Sequence, residues 1–347
     1  MKAAVARALR SARRVLVANH ENPDGDCLGG SLALRLGLER LGKEVVVAST
    51  DGVPVVYRFL PGWEEVTDQP EGVGSFDVAV AVECGDLERA GRFASVLSSA
   101  PVLVNLDHHR DNTGYGHLVW RDPEAASVCE MVYDLLVELG VAVDEPLSTC
   151  LMTGLVTDTG SFRYSSVRPQ TFELAAELVR RGARPDAIYE RVYESRPVGA
   201  VRLMGLALSR LQLSADGQVA WTTVDEAMLA QAQARWEDTD NIVEALRSIA
   251  GVRLALLFKV EPSRVKVSLR ARDGARANQV AALFGGGGHL GAAGFVVQGP
   301  VEEVVRKTLE AASAEVRASR PPQKSRSDFW GPRSPSPGGV FPGHAPR

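Results

Sequence analysis

A two-domain α/β fold, its first domain built on a parallel sheet, is predicted by three observations. Apolar strands alternate with helical stretches near the N-terminus, two further apolar runs each close on an acidic residue, and a second alternation starts afresh near Gln218. The first strand is RVLVANH. A helical pattern from Asp26 to Leu41 follows it and stops at Gly42, and EVVVAST returns as a second strand, completing a βαβ unit. The runs DVAVAVE and PVLVNLD have the unbroken apolar character of buried parallel strands. Ligands of such a sheet bind at the strand C-termini. Helical patterns then cover roughly 126–139, 147–156, 169–181 and 197–211. The second alternation runs through QVAWTTV, a helical segment, the strands VRLALLFKV and RVKVSLRA, another helix, a glycine-rich loop and a last strand–helix pair. We therefore expect a first domain over 1–211, a smaller α/β domain over 217–316 and a disordered tail over 317–347.

The composition narrows the class of protein. Of 347 residues, 45% are hydrophobic and 24% charged, which suits globular domains and excludes disorder throughout. There is no apolar stretch of secretory length at the start and no run of about 18 apolar residues anywhere, so a soluble cytoplasmic protein without a membrane partner is expected. Cys27, Cys84, Cys129 and Cys150 form no C-x-x-C pair and read as small buried side chains in a reducing compartment. The tail, from Arg317, holds seven prolines, six Lys/Arg and one Asp. Removing its charge of +5 from the total of −4 leaves −9 for residues 1–316. An acidic body argues against a broad cationic groove for long nucleic acid, whose binding rests on phosphate neutralisation. A local site in which metal ions supply the positive charge fits better.

Four segments carry metal-ligand chemistry. NHENPDGDCLGGS delivers His20, Asp24 and Asp26 at a strand end, although Asp26 could also serve as a helix N-cap. VAVECGDLERAG places Glu83 after a buried strand, with Asp86 close behind. NLDHHRDNTGYG sets adjacent histidines after a carboxylate, in a chain with only six histidines. TGLVTDTGSFRYSS ends an apolar helical run on Asp158. The combined donors are His20, Asp24, Asp26, Glu83, His108 and Asp158. This mixed imidazole and carboxylate set suits two divalent cations, Mn²⁺ first among them, and a phosphoester substrate. A fifth segment, FGGGGHLGAAGF, offers backbone N–H groups of Gly286, Gly287 and Gly288, with His289 and Arg270, as a phosphate clamp.

In this order, NHENPDGDCLGGS, NLDHHRDN and TGLVTDTGSF resemble the motifs of the DHH phosphoesterase superfamily. LFGGGGHLGAAGF resembles the signature of its C-terminal DHH-associated domain of the GGGGH type. The likeness spans roughly residues 10–310. Within the superfamily, the length and short inter-domain spacing are similar to the NrnA-type oligoribonucleases, or nanoRNases, which also act as pAp phosphatases, more than to the longer RecJ-type exonucleases. The resemblance implies His20 and Asp24 on one metal, Asp26, His108 and Asp158 on the other, and a bridging role for the acid at Glu83. That acid is usually aspartate in the family, so either Glu83 reaches one ion alone or Asp86 assists. It further implies that Asp107 orients a neighbouring histidine, that His109 protonates the leaving group, and that Arg270, Asn278 and His289 contact the substrate. The implied substrates are short RNA or DNA oligonucleotides, cut to 5′-mononucleotides, and small phosphorylated nucleotides such as 3′-phosphoadenosine 5′-phosphate. A c-di-AMP or pApA phosphodiesterase and a non-catalytic nucleotide-binding sensor are the alternatives, and a homodimer is compatible with either.

Overall fold

The structure, a computed structural model, describes residues 1–71, 74–239, 241–288 and 290–319. The chain divides into two compact units, Met1–Ser195 and Arg196 onward. The expected tail lies outside the described residues except for its first three positions, and His289 lies outside them too.

The first unit begins with helix α1 (Lys2–Ser11), an element the sequence reading did not contain. Val5, Ala6 and Leu9 are buried on one face of it, an apolar spacing that was legible but short. Strand β1 (Arg14–Asn19), helix α2 (Gly25–Arg40) and β2 (Glu44–Ala48) form the expected βαβ unit. There follow β3 (Val66–Thr67), β4 (Val78–Val82), α3 (Ala94–Ser99), β5 (Val102–Asp107), β6 (Leu118–Arg121), and the helices α4 (Val128–Leu139), α5 (Glu145–Asp158), α6 (Pro169–Arg180) and α7 (Pro185–Tyr189). All six strands are parallel, in the order β3-β2-β1-β4-β5-β6. The order reverses between β1 and β4, and at such a switch point the loops leaving neighbouring strands diverge and open a crevice. Alternate residues of the central strands enter two cores. Val15, Val17, Val80 and Val82 pack with α1, α2, α4 and α5, while Leu16, Ala18, Ala79 and Ala81 pack against Phe93 and Leu97. Helix α2, lying between the sheet and α5, is apolar almost all round and buried over most of its length, as a central helix must be.

The second unit holds α8 (Val198–Ser209), β7 (Gln212–Leu213), β8 (Val219–Asp225), α9 (Glu226–Ala232), α10 (Ile242–Arg247), β9 (Leu254–Glu261), β10 (Arg264–Ala271), α11 (Ala277–Ala282), β11 (Gly287–Gly288), β12 (Ala292–Val297) and α12 (Val301–Ala318). Its sheet runs β11-β12-β10-β9-β8-β7 and is antiparallel except for the β8–β9 pair. Two of the expected boundaries move. Helix α8, read into the first domain, packs Leu203 and Ala207 with Ala220, Val224 and Leu257 of the second unit, and Thr222 Oγ1 donates to Ala207 O at 2.6 Å. Helix α12 runs through Arg317 and Ala318 because buried Arg253 donates to Val316 O and Ser319 O, both at 2.8 Å, and so satisfies the helix end. No helix among the described residues is long and apolar enough to cross a membrane.

Candidate metal centre

The register of the central strands delivers the first donors. Asn19 of β1 lies opposite Val82 of β4, and Val82 opposite Leu106 of β5, so the next residues, His20, Glu83 and Asp107–His108, emerge side by side at the C-terminal edge. Glu83 N donates to Leu106 O at 2.9 Å while its own φ is +59°. A glutamate in the left-handed region is uncommon, and such strain persists where the surroundings over-determine the backbone. Here it turns the longer side chain back into the crevice, where Glu83 is 2% exposed.

Helices supply the rest. Asp24, and not Asp26, is the N-cap of α2: its Oδ1 accepts from Asp26 N at 3.0 Å and Cys27 N at 3.1 Å. Asp26, the second residue of the helix and fully buried, accepts from Ser127 Oγ at 2.5 Å, Val128 N at 2.7 Å and Cys129 N at 3.2 Å, all at the N-terminus of α4. Asp158 ends α5, and the crossing of α2 with α5 brings it beside Asp26. That crossing needs Gly154, where a Cβ would stand 2.3 Å from Cys129 Sγ and 2.5 Å from Asp26 Oδ1.

The donors fall into overlapping groups. Ligand atoms of Asp26, Glu83, His108 and Asp158 all lie within 4.8 Å of one another, as do those of His20, Asp24, Cys27 and Glu83, and a third group holds Glu83, His108 and His109. Asp86 belongs to none of these groups; it caps the following turn by accepting from Arg89 N at 2.9 Å. His20 Nδ1 lies 2.7 Å from Glu21 O and His108 Nδ1 3.0 Å from Ala125 O, so in the neutral rings Nδ1 carries the proton and Nε2 the lone pair. His108 Nε2 stands 3.5 Å from Asp158 Oδ2 and 3.7 Å from both Asp26 Oδ2 and Glu83 Oε1. Both this nitrogen and Glu83 Oε2 are buried without a hydrogen-bond partner.

Burial, with like charges close by, shifts Glu83, Asp26 and Asp158. Burial raises Glu83 well above the usual carboxylate range, and Asp24 and Asp26 add to it. Burial also raises Asp26, and Asp158 is pushed up to about 8 by burial and by Asp26. His108 moves up too, burial being outweighed by the carboxylates of Glu83, Asp26 and Asp158. A cluster of crowded carboxylates with buried donor atoms unpaired is one that divalent cations fit: they offset the negative charge and bond the orphaned atoms.

Asp107 does something different. Fully buried, it accepts from Asn112 Nδ2 at 2.5 Å and from His109 N at 3.1 Å, and its Oδ1 lies 2.7 Å from His109 Nδ1. Burial alone would raise this carboxyl, but the His109 and Asn112 bonds hold it well below the usual range. It therefore stays ionised and fixes the His109 ring. The neighbouring histidine it orients is His109. Asn112, which reading by motif passed over, ties the arrangement together by donating also to Asn105 Oδ1 at 2.9 Å and Cys84 O at 3.3 Å.

The residues expected to bind substrate belong to the second unit and are mostly engaged. Arg270 Nε donates to Glu244 Oε1 at 2.5 Å and its Nη1 to Leu269 O at 3.0 Å. Asn278 Oδ1 on α11 is buried and unpartnered. The four glycines are not one open loop. Gly285 N and Gly286 N donate to Ala282 O and Ala281 O, and Gly287–Gly288 pair with β12 as a short strand. Gly288, at φ +134°, has the Ala292 carbonyl oxygen 2.6 Å from where a Cβ would be, and Gly286 has the Gly294 carbonyl oxygen 2.3 Å from the same point, so these two are glycine for close approach, whereas Gly287 faces open space. Of the expected clamp amides, that of Gly286 is bonded to a carbonyl of α11, and Gly287 and Gly288 lie at a strand edge.

Both sequence and fold are similar to those of known proteins. The model of the DHH family, N-terminal domain, matches residues 14–155, and that of the DHHA1 domain matches 216–318. The "Bifunctional oligoribonuclease and PAP phosphatase NrnA" of Thermus thermophilus is 33% identical over 87% of this chain and 90% of its own. The protein of the same name from Bacillus subtilis is 25% identical over 85% and 92%. The crystal structure of an exopolyphosphatase-related protein from Bacteroides fragilis aligns over 90% of this chain and 95% of its own, with a TM-score of 0.86 and 26% identity. On the family models and the similarity to the Thermus protein across both units, the chain belongs to the DHH family and carries a DHHA1 domain.

Proposed function

We propose that the protein is a metal-dependent phosphoesterase that degrades short oligonucleotides to 5′-mononucleotides, takes phosphate from 3′-phosphoadenosine 5′-phosphate to leave AMP, and works in the cytoplasm. The observation that carries the reading is that Glu83 belongs to both four-residue donor groups, one with His20 and Asp24, the other with Asp26, His108 and Asp158. A carboxylate shared in this way suits two neighbouring divalent cations, Mn²⁺ first, which when bound would polarise phosphoryl oxygens and make water a nucleophile at neutral pH. His20 and Asp24 would hold one, Asp26, His108 and Asp158 the other, and Glu83 both.

The chain's own groups do the remaining work. His109, its ring held by Asp107, offers Nε2 to the leaving oxygen and, when protonated, donates to it. Arg270 exchanges Glu244 for a substrate phosphate, and the buried Asn278 Oδ1 stands ready to accept from a nucleotide. The names of the Thermus and Bacillus relatives support this choice among phosphoesters.

A rate comparison tests it. With Mn²⁺ present, di- to pentanucleotides and 3′-phosphoadenosine 5′-phosphate should turn over well ahead of long single strands, pApA and c-di-AMP. Equal rates on long strands would end the short-substrate reading, a preference for c-di-AMP or pApA would move the protein to cyclic-dinucleotide turnover, and no hydrolysis with ions bound would make it a binding protein.

A further inference from the structure

Cys27 occupies a place that the spacing of the cysteines gave no reason to expect. It lies in the first turn of α2, fully buried, and its Sγ is within 4.8 Å of the ligand atoms of His20, Asp24 and Glu83. Its one hydrogen bond is weak, from Sγ to Asp24 O at 3.5 Å. A second observation points the same way: Glu83, a member of the same group and 2% exposed, has a buried Oε2 without a hydrogen-bond partner. The other donor group, Asp26, Glu83, His108 and Asp158, offers only oxygen and nitrogen. The two halves of the centre therefore differ in softness.

Resting on the metal-centre reading above, we propose that Cys27 is a fourth donor to the His20–Asp24–Glu83 cation position and makes that position prefer Co²⁺ or Zn²⁺ over Mg²⁺. Thiolate selects softer ions, whereas carboxylate and imidazole alone discriminate less. Four donors of one sulfur, one nitrogen and two oxygens match the four-coordinate habit of zinc, and the atoms need to close by only about 1 Å to reach bonds of about 2.0–2.3 Å. On binding, the sulfur lone pair enters the metal–sulfur bond and the thiol proton leaves to solvent.

The test uses the full chain, stripped with a chelator and reloaded with Co²⁺ or Zn²⁺, with bound ions counted. The Co²⁺ protein should show a sulfur-to-cobalt charge-transfer band in the near ultraviolet. Cys27→Ser should abolish the band and lower Co²⁺ affinity at one position by about tenfold or more while leaving Mg²⁺ affinity unchanged. Cys129→Ser, which alters the thiol lying 3.6 Å from Asp26 O, should keep the band. Should Cys27→Ser fail to fold, X-ray absorption on the unaltered Zn²⁺ protein decides, by the presence or absence of a sulfur shell at about 2.3 Å. Two bound ions with no sulfur signature, or a band that survives Cys27→Ser, overturns the role of Cys27 alone. No bound ion in the unaltered protein overturns the metal centre and this inference with it.

Discussion

The donor cluster of the first unit and the candidate substrate group of the second differ in how much bonding capacity they leave open. At the strand ends, His108 Nε2 and Glu83 Oε2 are buried and unpaired, and Glu83, Asp26 and Asp158 sit above the usual carboxylate range. In the second unit, Arg270 is already paired with Glu244 and two of the four glycine amides are bonded to α11 carbonyls. The first arrangement is poorly satisfied without a ligand and so advertises one; in the second only Asn278 Oδ1 is left open, and Arg270 must exchange a partner to bind. Chelation should therefore disturb the first unit, and charge substitution should tune the second.

The largest effect is expected at Asp26. Asp26→Asn keeps its size but weakens a fully buried ligand, and turnover should fall about 10²–10³-fold with loss of one bound ion. A normal rate with two ions bound would remove Asp26 from the centre. Asp107→Asn should cost about 10–100-fold in kcat with both ions retained, since it loosens His109 and is itself a member of no donor group. If ions were lost as well, Asp107 would belong with the donors.

Metal-free protein should show the strain of the cluster through pH. Asp158 holds its proton to about pH 8 in the folded chain, against 3.8 for a free aspartate, and His108 likewise takes a proton more readily when folded. Groups whose folded pKa is raised stabilise fully at low pH and lose that contribution as pH climbs through the folded value. Thermal midpoints of the chelated protein should thus decline between about pH 5 and pH 8, and reloading with cations should flatten the decline. Asp107, shifted the other way, contributes only to losses in stronger acid. A midpoint that rises over this window would contradict the assigned crowding.

The smallest effects belong to the second unit. Arg270→Ala should raise KM about tenfold for phosphate-terminated substrates and leave kcat unchanged. Glu244→Gln, which removes the competing carboxylate, should lower KM about two- to fivefold, the size of a partly exposed ion pair. A fall in kcat alone after Arg270→Ala would detach Arg270 from phosphate binding.

Much of this molecule was legible in the sequence because the signals were local. Unbroken apolar runs marked β1, β2, β4 and β5, and residues just beyond three of them carried the donor chemistry. What stayed hidden was short or depended on distant packing. Helix α1 is ten residues, β3 and β7 are two each, and α8 reads as a continuation of the preceding helices until Leu203 and Ala207 are seen packed in the second core. Cys27 was invisible as a donor because its companions lie at positions 20, 24 and 83, with no spacing to betray them.

By itself, then, the sequence determined the parallel α/β class, the strand-end location of the chemistry and the identities of six candidate donors, since these follow from hydrophobic period and residue type. Only the tertiary structure decided which donors share a group, that Asp24 and not Asp26 caps α2, that Glu83 belongs to both halves, and that Gly287 and Gly288 pair as a strand. Those outcomes turn on the β1–β4–β5 register, the α2–α5 crossing at Gly154 and the left-handed backbone of Glu83, which join residues far apart in the chain.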